Sequence, residues 1–290
     1  MTCIEMVRLS PKTMITASDA RVSVGGRYED TVKKTSIKGS YIALPTGAAD
    51  NCSEIQESWE HKPKGRNFRE ELKIFKNTYS EIYEEKFEDT ILKKYTFSLE
   101  DYKQGRIPAD KSRIILEDID AFITPPKGKR GFEAYFLFGG YDSEKKDMRI
   151  FEVAPPGVAN RADKHYAISG SGADKAQPVL SDFMQSVRNI DSIPLIDGLH
   201  TVYKSMKEGS KNAGAGGTPS VCILKKKHVR VIDSDRSRLL LNIVWFEKTG
   251  EISEGEATHY FEQLIEKNKP LRKVEKKLMK QGLLTQYIID

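Results

Sequence analysis

Two apolar periodicities take turns along this 290-residue sequence, and their order restricts the architecture more than any other feature. Residues 2–9 and 13–19 are short apolar or alternating runs joined by Ser10-Pro11-Lys12, which is turn chemistry, so they read as a hairpin. A second strand pair is expected at 32–37 and 40–45, with Lys38-Gly39 at its turn. Helical spacing then takes over. A short helix follows Gly47, and a long one is marked by Leu72, Phe75, Tyr79, Ile82, Tyr83, Phe87 and Ile91, three or four residues apart. Strands are expected again at 114–123, 134–139, 148–153 and 165–168, punctuated by Pro125-Pro126-Lys127-Gly128 and Pro155-Pro156-Gly157. A helix pair near 173–189 and 194–207 precedes strands at 220–224, 229–233 and 239–246. From Ser253 the pattern is helical, broken at Pro270, with Leu271, Val274 and Leu278 on one face.

Hairpins alternating with helix pairs predict two packed antiparallel sheets with helices outside. The expected fold class is α+β, a four-layer αββα sandwich with an extended helical pair and extra C-terminal helices. Residues 1–250 make the sandwich domain, and 251–290 are a C-terminal helical extension of it. The segment 103–111 is a loop elaboration. Gly139-Gly140 and the glycine-rich stretch 214–217 read as turns, because neither has the spacing and trailing Lys-Ser/Thr of a phosphate loop.

No apolar run approaches the ~20 residues of a membrane-spanning helix. No basic, then apolar, leader opens the chain, so a cytoplasmic location is expected, with no membrane partner. The net charge of +5 comes from interleaved acids and bases, so no nucleic-acid partner is expected. The basic stretch 267–280 reads as the solvated face of a helix. Cys3, Cys52 and Cys222 are too far apart in sequence for a zinc spacing, and the five histidines are scattered, so no metal site is expected. Trp59 and Trp245 read as packing residues.

Thr2 is where the chemistry begins. An N-terminal threonine can be its own catalyst once Met1 is removed: its hydroxyl attacks and its free α-amine takes the proton. Many chains begin Met-Thr, so the surroundings decide. "TCIEMVRLSPKTMITASDAR" resembles the first hairpin of proteasome β-type subunits, which begins with Thr and ends its second strand in Ala-x-Asp-x-Arg. "TVKKTSI" is similar to that family's basic strand carrying the catalytic lysine, and "TGAADN" to its Gly-x-Ala-Ala-Asp segment at the first helix. "AYFLFGGYD" resembles its "LLVGGYD" strand and turn, and "YAISGSGADKAQPVL" its "AIGSGxxxAxxxL" strand-to-helix junction.

The resemblance to N-terminal-nucleophile hydrolases implies roles for specific positions. Thr2 would be the nucleophile. Lys34, with Lys33 as its alternative, would sit beside it and depress the pKa of its amine and hydroxyl. Asp19 would pair with that lysine; an ordinary strand-end ion pair between Asp19 and Arg21 is the plainer reading. Ser171 would relay a proton near the Thr2 amine, with Gly170 before it, and would also suit a helix N-cap. Gly47 is the candidate oxyanion donor, with Thr46 the residue that strict alignment favours. Where the family has Asp-x-x-Ser-Gly, this chain has "NAGAG", so Asn212 stands for the Asp and Ala215 for the Ser. Cys3 should face away from Thr2, since neighbouring strand residues alternate.

The implied function is a threonine-nucleophile amide hydrolase, a peptidase that needs no cofactor. It would act on peptide or protein substrates, assemble as a homo-oligomeric ring or partial ring, and be open to a regulatory ATPase. A non-catalytic assembly subunit and an acyl-transfer enzyme are the alternatives.

Overall fold

The computed structural model describes residues 2–20, 22–24, 27–29, 34–123, 131–162, 165–212 and 216–285. The first half runs β1 (Ile4–Ser10), β2 (Thr13–Ser18), β3 (Val22–Val24), β4 (Arg27–Glu29), β5 (Ser36–Lys38), β6 (Tyr41–Gly47), α1 (Ala49–His61), α2 (Phe68–Phe87), α3 (Leu99–Lys103) and α4 (Ala109–Ile123). The second runs β7 (Ala134–Asp142), β8 (Asp147–Ala154), β9 (Val158–Arg161), β10 (Tyr166–Ser169), α5 (Ala173–Ser186), α6 (Leu195–Gly209), β11 (Ser220–Lys225), β12 (His228–Val231), α7 (Ser234–Lys248), α8 (Glu254–Phe261) and α9 (Leu271–Lys280).

Ten of these strands form two antiparallel five-stranded sheets, ordered β10-β1-β2-β11-β12 and β5-β6-β7-β8-β9. Strand parity then sorts the core. On β1, Ile4 and Met6 join Met14, Leu44, Leu137 and Ile150 between the sheets. Cys3, Val7 and Leu9 point the other way, into a core shared with α5 to α9. Aromatic side chains of α2, Phe75, Tyr79 and Tyr83, pack with Phe132, Phe136 and Phe138 on the outer face of the second sheet. The result is a sandwich of two sheets with helices on the outside. The tail belongs to it, because Tyr260, Phe261, Leu264, Val274 and Leu278 are buried in the helix-side core.

Two expected strands are helices. Residues 114–123 lie in α4, where Ile115 and Phe122 are buried while Leu116 is 56% exposed. The acids Glu117, Asp118 and Asp120 break any strand-like alternation, and Ile115, Ile119 and Phe122 have helical spacing. Residues 239–246 lie in α7. Its buried residues Leu239, Leu240, Ile243, Val244 and Phe246 keep helical spacing, and a further signal lies upstream: the Asp233 side chain caps the helix by accepting from the Arg236 N–H. Trp245 is not a core residue; it is 44% exposed beneath the Lys207 ammonium, 4.7 Å away. Gly139-Gly140 is strand, not turn. A Cβ on Gly139 would lie 2.6 Å from Met14 Cε and 2.7 Å from Met6 Sδ, so glycine lets the two sheets close there. Residues 32 and 33 of the expected second strand pair lie outside the described residues, as do 214 and 215 of the glycine-rich stretch.

One buried group stands out because it is not apolar. Glu5, the second residue of β1, is fully buried on the helix side. Its Oε2 accepts from the Ser205 hydroxyl of α6 at 2.6 Å, and its Oε1 has no partner among the described residues. Burial pushes its carboxyl up to about 8, against the smaller opposing effect of the Ser205 bond.

Candidate active site

Thr2 precedes β1 at the end of the first sheet and is tied there by main chain. Its carbonyl accepts from the Gly172 N–H at 3.1 Å, and its N–H donates to Ser171 Oγ at 3.1 Å. These contacts come from the β10–α5 junction, which passes so close that a Cβ on Gly170 would lie 2.2 Å from the Thr2 carbonyl oxygen. Gly170 also has φ +99°, a conformation glycine alone adopts without strain. Ser171 is not the helix cap; that position is Gly172, and the Ser171 hydroxyl faces Thr2 instead.

The Thr2 hydroxyl meets a buried ion pair. It donates to Asp19 Oδ1 at 3.1 Å and accepts from the Lys34 ammonium. Lys34 Nζ lies 2.7 Å from the same carboxylate oxygen. Asp19 is fixed by two further donors, the N–H groups of Cys3 at 3.1 Å and Gly216 at 3.0 Å. Thr2, Asp19 and Lys34 are 4%, 2% and 7% exposed, so this is a desolvated cluster in which a charge interacts strongly with its neighbours. Burial lowers the Lys34 ammonium below the ordinary lysine range, and the Asp19 carboxylate opposes that shift.

Sequence reasoning missed Gln56. From the buried face of α1 its amide donates to the Lys34 carbonyl at 3.3 Å and to Ser36 Oγ at 2.7 Å, holding the chain that carries the lysine. The signal was present: Gln56 lies in the stripe Cys52, Ile55, Trp59, where a polar residue needs a partner. Gly216 was missed because a backbone donor has no side-chain signature.

The β6–β7 register bears on the oxyanion donor. Thr46 pairs with Tyr135 and Gly47 with Ala134, and the Ala48 N–H bonds to the Glu133 carbonyl at 2.6 Å. Antiparallel pairs alternate between bonded and non-bonded, so Thr46 is committed to β7 while the Gly47 N–H points away from it. Of the two, the Gly47 N–H is the one that the register leaves facing away from β7. Gly47 has φ +122°, and a Cβ there would meet the Glu133 carbonyl oxygen at 2.2 Å.

Asn212 acts differently from an Asp in its place. Its amide nitrogen donates to the Ser171 carbonyl, so it holds the junction's main chain. Cys3 points into the helix-side core, and burial, helped by Glu5 and Asp19, raises its thiol pKa, which leaves it no role as a nucleophile. Arg21, Lys33 and Ala215 lie outside the described residues. No group of three or more His, Cys, Asp or Glu side chains suited to a metal ion exists among the described residues. Nor is any of their helices long and apolar enough to cross a membrane.

No protein-family model and no curated protein matches the sequence. Among solved structures, the chain superposes on a Gly-1 mutant of Anbu from Hyphomicrobium sp. strain MC1 with a TM-score of 0.55. The overlap covers 87% of this chain and 96% of that one, at 15% identity. In fold, this chain resembles Anbu, a proteasome-like protein. At that identity the likeness concerns architecture alone; Thr2, Asp19, Lys34 and Ser171 rest on the geometry described above.

Proposed function

We propose that this chain is a proteasome-like threonine amide hydrolase, a peptidase activated when Met1 is removed. One observation carries the reading: the Thr2 hydroxyl is held jointly by Lys34 and Asp19 while Ser171 Oγ sits 3.1 Å from the Thr2 nitrogen. In the N-terminal-nucleophile layering that this reading adopts, both groups lie at the end of the sheet sandwich.

The steps follow from those contacts. With Met1 gone, the Thr2 nitrogen is an amine whose unperturbed pKa is about 7.7–8.0. The adjacent Lys34 ammonium disfavours a second positive charge and keeps that amine available as a base. Thr2 Oγ attacks the scissile carbonyl, and its proton passes to the amine, with the Ser171 hydroxyl as a relay. The Gly47 N–H stabilises the oxyanion, a kind of contact worth on the order of 10²–10³ in rate. The C–N bond breaks as the ammonium returns its proton to the leaving amine. Water, deprotonated by the same amine, then hydrolyses the Thr2 ester and regenerates the hydroxyl.

The substrate is a peptide or protein, and the enzyme assembles as a homo-oligomer, a ring or partial ring, in the cytoplasm; a regulatory ATPase is the partner to seek. Intact-mass measurement and an electrophilic peptide probe test the reading together. Processed protein should label at Thr2, and Thr2→Ala should lose labelling and turnover with the fold intact. Undiminished labelling of that variant refutes it.

A second reading, a non-catalytic assembly subunit, is favoured by Asn212, which brings no negative charge to the Ser171 side of the site. Retention of Met1 in the working protein would select it. Acyl transfer in place of hydrolysis would show as a new amide when an amine nucleophile is added.

A further inference from the structure

Three of the helices packed on the first sheet enclose a cleft that the proposed chemistry does not use. α6 lends it Lys204, Lys207 and Glu208, and α7 lends it Val244, Glu247 and Lys248. Each set is spaced i, i+3, i+4, so each is one stripe of its helix, and Val179 of α5 adds a third side. The cleft holds about 340 Å³. That falls within the ~300–1,000 Å³ usual for small-molecule sites. At ~30 Å³ for each water-sized group, such a space accommodates about ten heavy atoms.

Ion pairs tie its walls together. Glu247 accepts from His200 Nε2 at 2.7 Å and from the Lys204 ammonium at 2.8 Å, so it joins α7 to α6. Glu208 takes the ammonium groups of Lys211 and Lys248, which joins α6 to α7 a second time. Burial works to raise the Glu208 carboxyl, but those two bonds prevail and hold it below the ordinary glutamate range, so it stays ionised. Burial first, and then the Lys204 charge, hold His200 below the ordinary histidine range, so its ring is neutral and donates from Nε2. Both carboxylates of the cleft are thus occupied. Of its three ammonium groups, Lys207 is the one with no carboxylate partner among the described residues. It lies instead over the ring of the partly exposed Trp245. An unpaired ammonium and an indole thus stand beside a cleft whose apolar lining is Val179, Val244 and the methylene stems of the lysines.

We propose that this cleft binds an amphiphilic monocarboxylate of about ten heavy atoms, its carboxylate on Lys207 and its hydrocarbon body between Val179 and Val244. Charge selects the head group. A cationic ligand would find both carboxylates taken, whereas an anion gives Lys207 the partner it lacks. The lining selects the body. A bare inorganic anion would leave the aliphatic walls wet, and a hydrocarbon chain removes their surface from water. The cross-helix ion pairs hold the walls before any ligand arrives, so little ordering opposes binding. Thr2, Asp19 and Lys34 do not line the cleft, and the site is independent of the proposed hydrolase chemistry.

The test titrates the full chain with octanoate, octanol and acetate in separate arms, at fixed ionic strength, following tryptophan fluorescence and heat. Trp59 gives a constant background, because it is buried against Phe75 and Phe138 of the other sheet's core. Octanoate should bind saturably and change the Trp245 emission, at least tenfold more tightly than octanol, and acetate should give no saturable response over the same range. Lys207→Gln should weaken octanoate at least tenfold and leave octanol unchanged. Val179→Glu, at a half-buried position, should abolish octanoate binding with unchanged circular dichroism. Thr2→Ala should bind octanoate as the natural chain does. Absence of saturable octanoate binding overturns the proposal. Equal affinity for octanol or acetate overturns it too, as does an octanoate affinity that Lys207→Gln leaves unchanged.

Discussion

Raising the pH should weaken this fold through one carboxyl group. Glu5 titrates at about 8 when folded, against a reference of 4.5 for an exposed glutamate. Between those values the unfolded chain has lost the proton and the folded chain keeps it. The folded state thus binds one proton more, and stability falls as pH rises, by about 1.4 kcal/mol per pH unit. Between pH 5 and 7.5 the loss amounts to roughly 3 kcal/mol, a large part of a typical domain's stability. The contacts explain why the neutral form fits. Oε2 receives only the Ser205 hydroxyl and Oε1 has no partner among the described residues, so a charged carboxylate would be poorly served there. Glu5→Gln keeps the shape and removes the titration. Urea unfolding of both proteins from pH 5 to 8.5 isolates the effect, because every other titrating group is common to the two. The difference in stability should move in favour of the variant as pH rises and level off above pH 8. Parallel curves, with the same slope in both proteins, would refute a buried neutral carboxyl.

Other outcomes can be checked alongside. Lys34→Met should lower peptide turnover by on the order of 10²-fold or more, the usual scale for a proton-transfer aid, with unchanged circular dichroism. Gly170→Ala should cut probe labelling of Thr2 at least tenfold, because its Cβ would collide with the Thr2 carbonyl oxygen at 2.2 Å. Glu71→Gln should cost about 3 kcal/mol in denaturant unfolding, since it leaves the Lys38 ammonium, 3.1 Å from the carboxylate, without its counter-charge. Leu278→Ala should cost about 2–5 kcal/mol by the same measurement, which would show that the C-terminal helix is structural.

The sequence displayed the sheets better than the helices. β1, β2, β7, β8 and β11 announce themselves as short apolar or alternating runs bounded by turn residues, and α2 by a long apolar stripe. The helices α4 and α7 were read as strands because each holds a short apolar run, Ile114-Ile115-Leu116 and Leu239-Leu240-Leu241, that fits either period when read alone. The site was legible where side chains carry it: Thr2, Asp19, Lys34 and Ser171 converge. It was illegible where backbone carries it. The Gly216 and Gly172 N–H groups, and the directions in which the Gly47 and Thr46 N–H groups point, depend on register and loop path, which no residue type encodes.

The clamp on the Thr2 peptide group has a temporal consequence. Its carbonyl is caught by Gly172 and its hydroxyl by groups from later in the chain, so nothing upstream is needed to aim it. Under the proposed function, the polypeptide could finish folding as an inert precursor and be switched on by a single trimming cut, with no rearrangement to follow.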